Sequence, residues 1–223
     1  MTISTYDAVT TRLRALRVVP VIIIDDPQQA EPLANALADG GLPCAEITFR
    51  TPSALEALRR IVKARPDFLV GAGTVLTSDQ ADRARDAGAQ FAVAPGMNPR
   101  VVEHCHRIGL PMYPGVATPT EIEAALELGV RLVKFFPAEP MGGVSFLKAV
   151  AAPYGEMEFI PTGGITRDTV GGYLSMAPVV ACGGSWMAPP DWIAAKAFER
   201  IRSETAQVVA LLQLPDRTRM AAT

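Results

Sequence analysis

Eight short apolar runs alternate with longer helical patterns along this chain, and the cycle repeats roughly every 20 to 25 residues. Strict alternation of this kind demands a parallel sheet covered by helices. Eight cycles within 223 residues predict a closed (β/α)8 TIM barrel with an extra N-terminal helix. No low-complexity linker or block of like charge interrupts the cycle, so residues 1–223 read as a single barrel domain. An open, doubly wound sheet is the other architecture with this alternation. It is disfavoured because Ile24-Asp25-Asp26-Pro27 follows the first strand where a G-x-G-x-x-G phosphate loop would stand.

The opening helix, about Tyr6 to Leu16, carries Val9, Leu13 and Leu16 on one face. Val18–Ile24 is the first strand. Asp26-Pro27 then sets a cap residue before a proline, an order that opens helices because the first helical N–H has no partner to lose. Cys44–Thr48 is the second strand, with Thr51-Pro52 in the same role. Phe68–Ala72 and Phe91–Ala94 are the third and fourth, and Asn98-Pro99 opens a helix to about Ile108. Pro111–Tyr113 is the fifth; its helix starts at Thr118-Pro119, where Glu121 adds capping-box spacing. Leu132–Phe136, Glu158–Pro161 and Val179–Cys182 complete the barrel. A last helix, about Asp191 to Leu212, turns Ile193, Ala197, Ile201, Val208 and Leu211 toward it. Gly40, Gly88, Gly109 and Gly129 fall at helix ends, where a left-handed residue is expected.

Composition narrows the function. The chain is 49% hydrophobic and 20% charged, ordinary for a globular protein with one sizeable core. A formal charge of -2, a pI near 5.7 and scattered rather than clustered Arg and Lys leave no basic surface for nucleic acid. Cys44, Cys105 and Cys182 are far apart and lack metal-type spacing, which reads as reduced thiols in a cytoplasmic protein. Met1 to Leu16 has no continuous apolar segment resembling a signal peptide, and no stretch approaches the roughly 18 apolar residues of a membrane span. A cytoplasmic protein without a membrane partner is the expectation.

In a barrel the site lies at the carboxyl ends of the strands, so polar residues there are the functional candidates. Lys134 stands out, inside the apolar run Leu132-Val133-Lys134-Phe135-Phe136-Pro137. An ammonium taken out of water is so costly that the group tends to give up its proton, and a neutral amine attacks carbonyls. The run therefore points to Schiff-base chemistry. The competing reading is a buried stem whose head reaches solvent or a carboxylate. On the second strand Glu46, Thr48 and Arg50 share parity, placing an acid and a guanidinium on one wall. An ion pair between Glu46 and Arg50 inside the barrel is the alternative there.

The third strand runs into Gly71-Ala72-Gly73-Thr74, whose glycines admit a ligand close to the backbone and whose threonine offers a hydroxyl; a tight turn explains the same residues. Ala94-Pro95-Gly96 and Tyr113-Pro114-Gly115 end the next two strands in rigid turns that shape a pocket. Thr162-Gly163-Gly164-Ile165 and Gly183-Gly184-Ser185-Trp186 follow the last two. Loops at these places commonly form a phosphate cradle with a helix N-terminus, so a phosphorylated ligand is expected. His104-Cys105-His106 looks like a metal cluster, but on a helix its two histidines stand about 200° apart and cannot converge on one ion.

Together these motifs resemble the 2-keto-3-deoxy-6-phosphogluconate (KDPG) and 4-hydroxy-2-oxoglutarate (KHG) aldolase family, Schiff-base aldolases that include an enzyme of the Entner–Doudoroff route. The resemblance spans roughly Leu16 to Leu212. It rests on Glu46-Ile47-Thr48-Phe49-Arg50-Thr51, Gly71-Ala72-Gly73-Thr74-Val75-Leu76, Lys134-Phe135-Phe136-Pro137-Ala138-Glu139, Pro161-Thr162-Gly163-Gly164-Ile165 and Gly183-Gly184-Ser185-Trp186. Val93-Ala94-Pro95-Gly96 and Gly115-Val116-Ala117-Thr118 vary the family's wording, and Pro140-Met141 departs from it in one loop.

The resemblance implies Lys134 as the Schiff-base lysine and Glu46 as the general acid/base. It implies Arg50 and Thr74 on the pyruvate carboxylate, and Pro95, Phe136 and Thr162 lining the pyruvyl pocket. Gly163, Gly164 and Gly184 would hold phosphate through their backbone, with Ser185. The implied reaction is reversible cleavage of KDPG to pyruvate and glyceraldehyde 3-phosphate, with KHG cleavage beside it, by a homotrimer that needs neither cofactor nor metal. Thr162 resembles the gluconate-type enzymes, which favours KDPG over its C4 epimer, 2-keto-3-deoxy-6-phosphogalactonate. A non-catalytic phosphate-binding barrel is the rival from another class, and it has no need of a lysine within a strand. A phosphosugar isomerase or epimerase would instead use paired acids or a metal.

Overall fold

The computed structural model of the chain describes residues 5–213. Its strands are β1 (Val18–Ile22), β2 (Cys44–Thr48), β3 (Leu69–Gly73), β4 (Phe91–Val93), β5 (Met112–Tyr113), β6 (Gly115–Val116), β7 (Leu132–Phe135), β8 (Glu158–Pro161) and β9 (Cys182–Gly184). Every pairing is parallel, in the orders β5-β4-β3-β2-β1-β9 and β6-β7-β8. Two bridges, Phe159 to Val179 and Thr162 to Gly183, join β8 to the chain entering and forming β9. β5 and β6 are one strand interrupted at Pro114, which has no N–H to give to the ladder. The sheet thus closes into the expected barrel.

The last strand forms at Cys182–Gly184, later than the expected Val179–Cys182. Val179 and Val180 are buried and lead into the strand, but the ladder with β1 runs from Val18–Cys182 to Pro20–Gly184. Glycines carry no hydrophobic signal, so an apolar pattern marks the buried approach and misses the paired residues. The third strand ends at Gly73 for the same reason.

The helices are α1 (Thr5–Leu16), α2 (Ala30–Asp39), α3 (Ala54–Ala64), α4 (Ser78–Asp86), α5 (Pro99–Arg107), α6 (Pro119–Glu127), α7 (Gly143–Ala151), α8 (Val170–Leu174), α9 (Pro190–Ala194) and α10 (Phe198–Gln213). Asp26 caps a 3-10 turn, Pro27–Gln29, that leads into α2, and Thr118 with Glu121 forms the expected capping box of α6. Thr51 caps nothing: its hydroxyl donates to the Ile24 carbonyl at 2.6 Å, and α3 begins after Ser53. Asn98 precedes Pro99 without a side-chain cap bond. The last helix is two, separated by Lys196 in the left-handed region (φ 55°). Gly40 is right-handed; Gly41 takes the positive φ of 95°. A Cβ on Gly40 would stand 2.6 Å from Thr205 Cβ, so its bareness lets α2 and α10 approach.

One core lies between strands and helices. A second fills the barrel near the amino ends of the strands, with Val19, Cys44, Leu69, Phe91, Val93, Tyr113, Leu132 and Ile160. Helix α1 covers that end through Val9 and Leu13, and Arg14 fixes it to Glu158 with two 2.8 Å bonds. Side chains alternate along a strand, so the residue two beyond each apolar plug faces inward one layer higher. Cys44 is followed by Glu46, Leu132 by Lys134 and Ile160 by Thr162. The cysteines are free and buried, and burial pushes the Cys44 thiol up to about 12 and Cys105 to about 11. Among the described residues no helix is long and apolar enough to cross a membrane.

Candidate active site

Lys134 is the third residue of β7 and pairs with Gly115 on one side and Ile160 on the other. Its Nζ lies 3.3 Å from Oε1 of Glu46, the third residue of β2, and both side chains are only 5% exposed. The amine therefore does not reach solvent. It meets a carboxylate, and that carboxylate is the acid singled out on β2. Glu46 in turn has Lys134 as its buried partner, not Arg50. Gly73 makes room for it, because a Cβ there would overlap the carboxylate. The ring centroid of half-buried Phe136 lies 5.2 Å from Nζ, within cation–π range.

Arg50 falls beyond the end of β2, where strand parity no longer governs it. It is exposed at the mouth, and its Nε donates to Thr74 Oγ1 at 3.3 Å. Thr74 has φ 58°, a conformation that a β-branched residue rarely adopts. Backbone held this way is typical of residues fixed in place by a functional site. Thr48, expected beside Glu46 and Arg50, is fully buried and donates to the Ile22 carbonyl at 2.8 Å. The Gly71 and Gly73 pair makes room for protein groups, Phe91 and Glu46, where the sequence suggested ligand approach.

Pro95 is half-buried beyond β4, with its carbonyl against Gly115. Thr162 is buried between two strands, its N–H donating to Phe135 O at 2.9 Å; bare Gly183 leaves space for its side chain. Gly163 and Gly164 follow with φ 106° and 78°, consecutive left-handed residues that only glycine adopts at no steric cost. The Thr162–Gly183 bridge sets this loop beside Gly184 and exposed Ser185. Neither loop runs straight into a helix: α8 starts at Val170 and α9 at Pro190. A turn therefore separates each glycine loop from the helix N-terminus expected beside it.

Elsewhere, His104 Nε2 lies 3.0 Å from Asp82 Oδ1 on the outer face, and His106 is exposed. Among the described residues no group of three or more His, Cys, Asp or Glu side chains is placed to hold a metal. One contact beside the loops escaped sequence reasoning. Glu139 Oε1 accepts a 2.6 Å hydrogen bond from Tyr173, and residues 34 apart give no periodic signal.

Residues 9–204 match the family model of KDPG and KHG aldolase. The chain is 49% identical over 203 residues to 2-dehydro-3-deoxy-phosphogluconate aldolase of Treponema pallidum, covering 90% of this chain and 97% of that one. A crystal structure of KDPG aldolase from Legionella pneumophila, with pyruvate captured as a covalent carbinolamine, superposes with a TM-score of 0.87 at 37% identity, covering 90% and 97% of the two chains. That of the Zymomonas mobilis ZM4 enzyme with 3-phosphoglycerate gives 0.84 at 38% identity, covering 92% and 96%.

Proposed function

The chain belongs to the KDPG and KHG aldolase family, and on that footing we propose that it is a class I aldolase that cleaves KDPG reversibly to pyruvate and glyceraldehyde 3-phosphate through a Schiff base on Lys134. The observation that carries this is the buried approach of Lys134 Nζ to Glu46 Oε1 at 3.3 Å. Removing two charges from water is expensive, and a scaffold gains little from it. A nucleophile beside its base gains a great deal.

In this reading Glu46 accepts the proton that frees the Lys134 lone pair. Nζ attacks the C2 ketone, and Glu46 returns its proton to the carbinolamine hydroxyl, which leaves as water to give an iminium and the carboxylate again. Glu46 then takes the C4 hydroxyl proton, directly or through a water, and the C3–C4 bonding pair flows into the iminium. Glyceraldehyde 3-phosphate leaves, and the remaining enamine is protonated at C3 and hydrolysed to pyruvate. The exposed Arg50 guanidinium, steadied by Thr74, suits the carboxylate because its fork binds both oxygens. Pro95, Phe136 and Thr162 wall the pyruvyl pocket, and Gly163, Gly164, Gly184 and Ser185 take the phosphate. KHG, which lacks phosphate, is the second substrate of this reading. The proposal extends to the whole chain acting as one domain, in a homotrimer, within the cytoplasmic Entner–Doudoroff route.

Ser185→Ala tests the assignment of the two ends of the substrate. It is expected to raise KM for KDPG about ten- to a hundredfold, the worth of roughly 1.5 to 3 kcal/mol for a hydrogen bond to a charged group, and to change KHG cleavage much less. Steady-state assays on both substrates check this; equal losses on both would make Ser185 a support of the fold.

A further inference from the structure

Glu139 lies in the turn between β7 and α7, downstream of Lys134 on the same segment. Its N–H donates to Gly163 O at 3.0 Å, and that of Ala138 donates to Thr162 O at 2.8 Å, so the turn runs bonded alongside the glycine loop. Its stem presses on Gly164, where a Cβ would stand 2.8 Å from Glu139 Cβ and 3.1 Å from Cγ. Its carboxylate accepts from Tyr173 OH at 2.6 Å. Tyr173 is fully buried on α8, the helix that follows the loop. Glu139 thus holds the segment from Gly163 to Tyr173 at both ends.

We propose that Glu139 is a positioning residue for the phosphate end of the site: with Tyr173 it clamps the Gly163–Gly164 loop to the strand that bears Lys134. The inference rests on the phosphate assignment above. A carboxylate bordering an anion-binding loop must be fixed in place, because a free one would swing toward the ligand and repel it. The short bond from a neutral phenol does so, and such charge-assisted bonds are the strong ones. Burial, and then the Glu139 carboxylate, hold the Tyr173 hydroxyl protonated well above the usual phenol range, so it stays a donor at physiological pH. The carboxylate also faces Gly143, the first residue of α7, an end that favours negative charge.

The test compares KDPG and KHG kinetics in Tyr173→Phe, Glu139→Ala and Glu139→Gln, with Ser185→Ala as reference. Tyr173→Phe removes one oxygen and keeps the buried ring, so it reads out the clamp without dismantling the core. Tyr173→Phe and Glu139→Ala are expected to raise KM for KDPG by about tenfold, equivalent to ~1.4 kcal/mol. KM for KHG, kcat and borohydride trapping of pyruvate should hold near wild type. Glu139→Gln, whose amide oxygen still accepts from the phenol, should recover most of the KDPG affinity. An unchanged KM for KDPG in Tyr173→Phe, or parallel losses on both substrates, overturns the clamp while a selective Ser185→Ala effect leaves the aldolase reading standing. If Ser185→Ala is also unselective, the phosphate site lies elsewhere and the clamp falls with it.

Discussion

Lys134→Met is expected to abolish aldol cleavage, a fall on the order of 10⁶-fold, as when another enzyme loses its covalent nucleophile. Methionine matches the lysine stem in length but offers no amine to form the iminium. The substitution also leaves the Glu46 carboxylate 5% exposed and without its partner. Breaking such a pair costs roughly 3 to 5 kcal/mol, so a lower melting temperature should accompany the loss. Combining Lys134→Met with Glu46→Leu removes the stranded charge and should recover much of that stability without recovering activity. Calorimetry beside the cleavage assay separates the two effects; activity that returns with the fold would deny Lys134 its chemical role.

Glu46→Gln preserves shape, and its amide oxygen still accepts from Lys134. Aldol cleavage is expected to fall by about 10²- to 10⁴-fold, the usual worth of a positioned acid/base. The adduct with pyruvate should still form, more slowly, because the nucleophile remains. Single-turnover cleavage of KDPG, run against trapping of pyruvate, distinguishes the steps. Cleavage near the wild-type rate would leave Glu46 as merely the partner that neutralises a buried lysine. Loss through unfolding alone would say the same.

Much of this site is legible because each signal is local. A charged residue within an apolar strand, capping residues before prolines and paired glycines after the last two strands each declare themselves within a few positions. What depends on closure is not. Glu46 and Lys134 are 88 residues apart, and only the curl of the sheet sets them across the barrel from one another. Parity along β2 therefore leaves a Glu46–Arg50 ion pair as an alternative, although the strand ends at Thr48 and releases Arg50 toward Thr74. Thr51 looks like a helix cap until the fold brings the Ile24 carbonyl to its hydroxyl. The final strand forms later than the apolar pattern marks because its pairing residues include two glycines, Gly183 and Gly184, and the break at Lys196 is hidden because the apolar pattern continues on both sides of it. The Glu139–Tyr173 bond is of the same kind, a long-range contact between residues with no shared period.

The Schiff base itself is open to direct capture. Pyruvate with borohydride should inactivate the protein and attach one reduced adduct, with peptide mapping placing it on Lys134 alone among the four lysines. Lys63 on α3, Lys148 on α7 and Lys196 between α9 and α10 are all exposed on the outer ring, where the amine stays hydrated and protonated. A label on any of those three, or full activity surviving treatment with no label at all, would contradict the account.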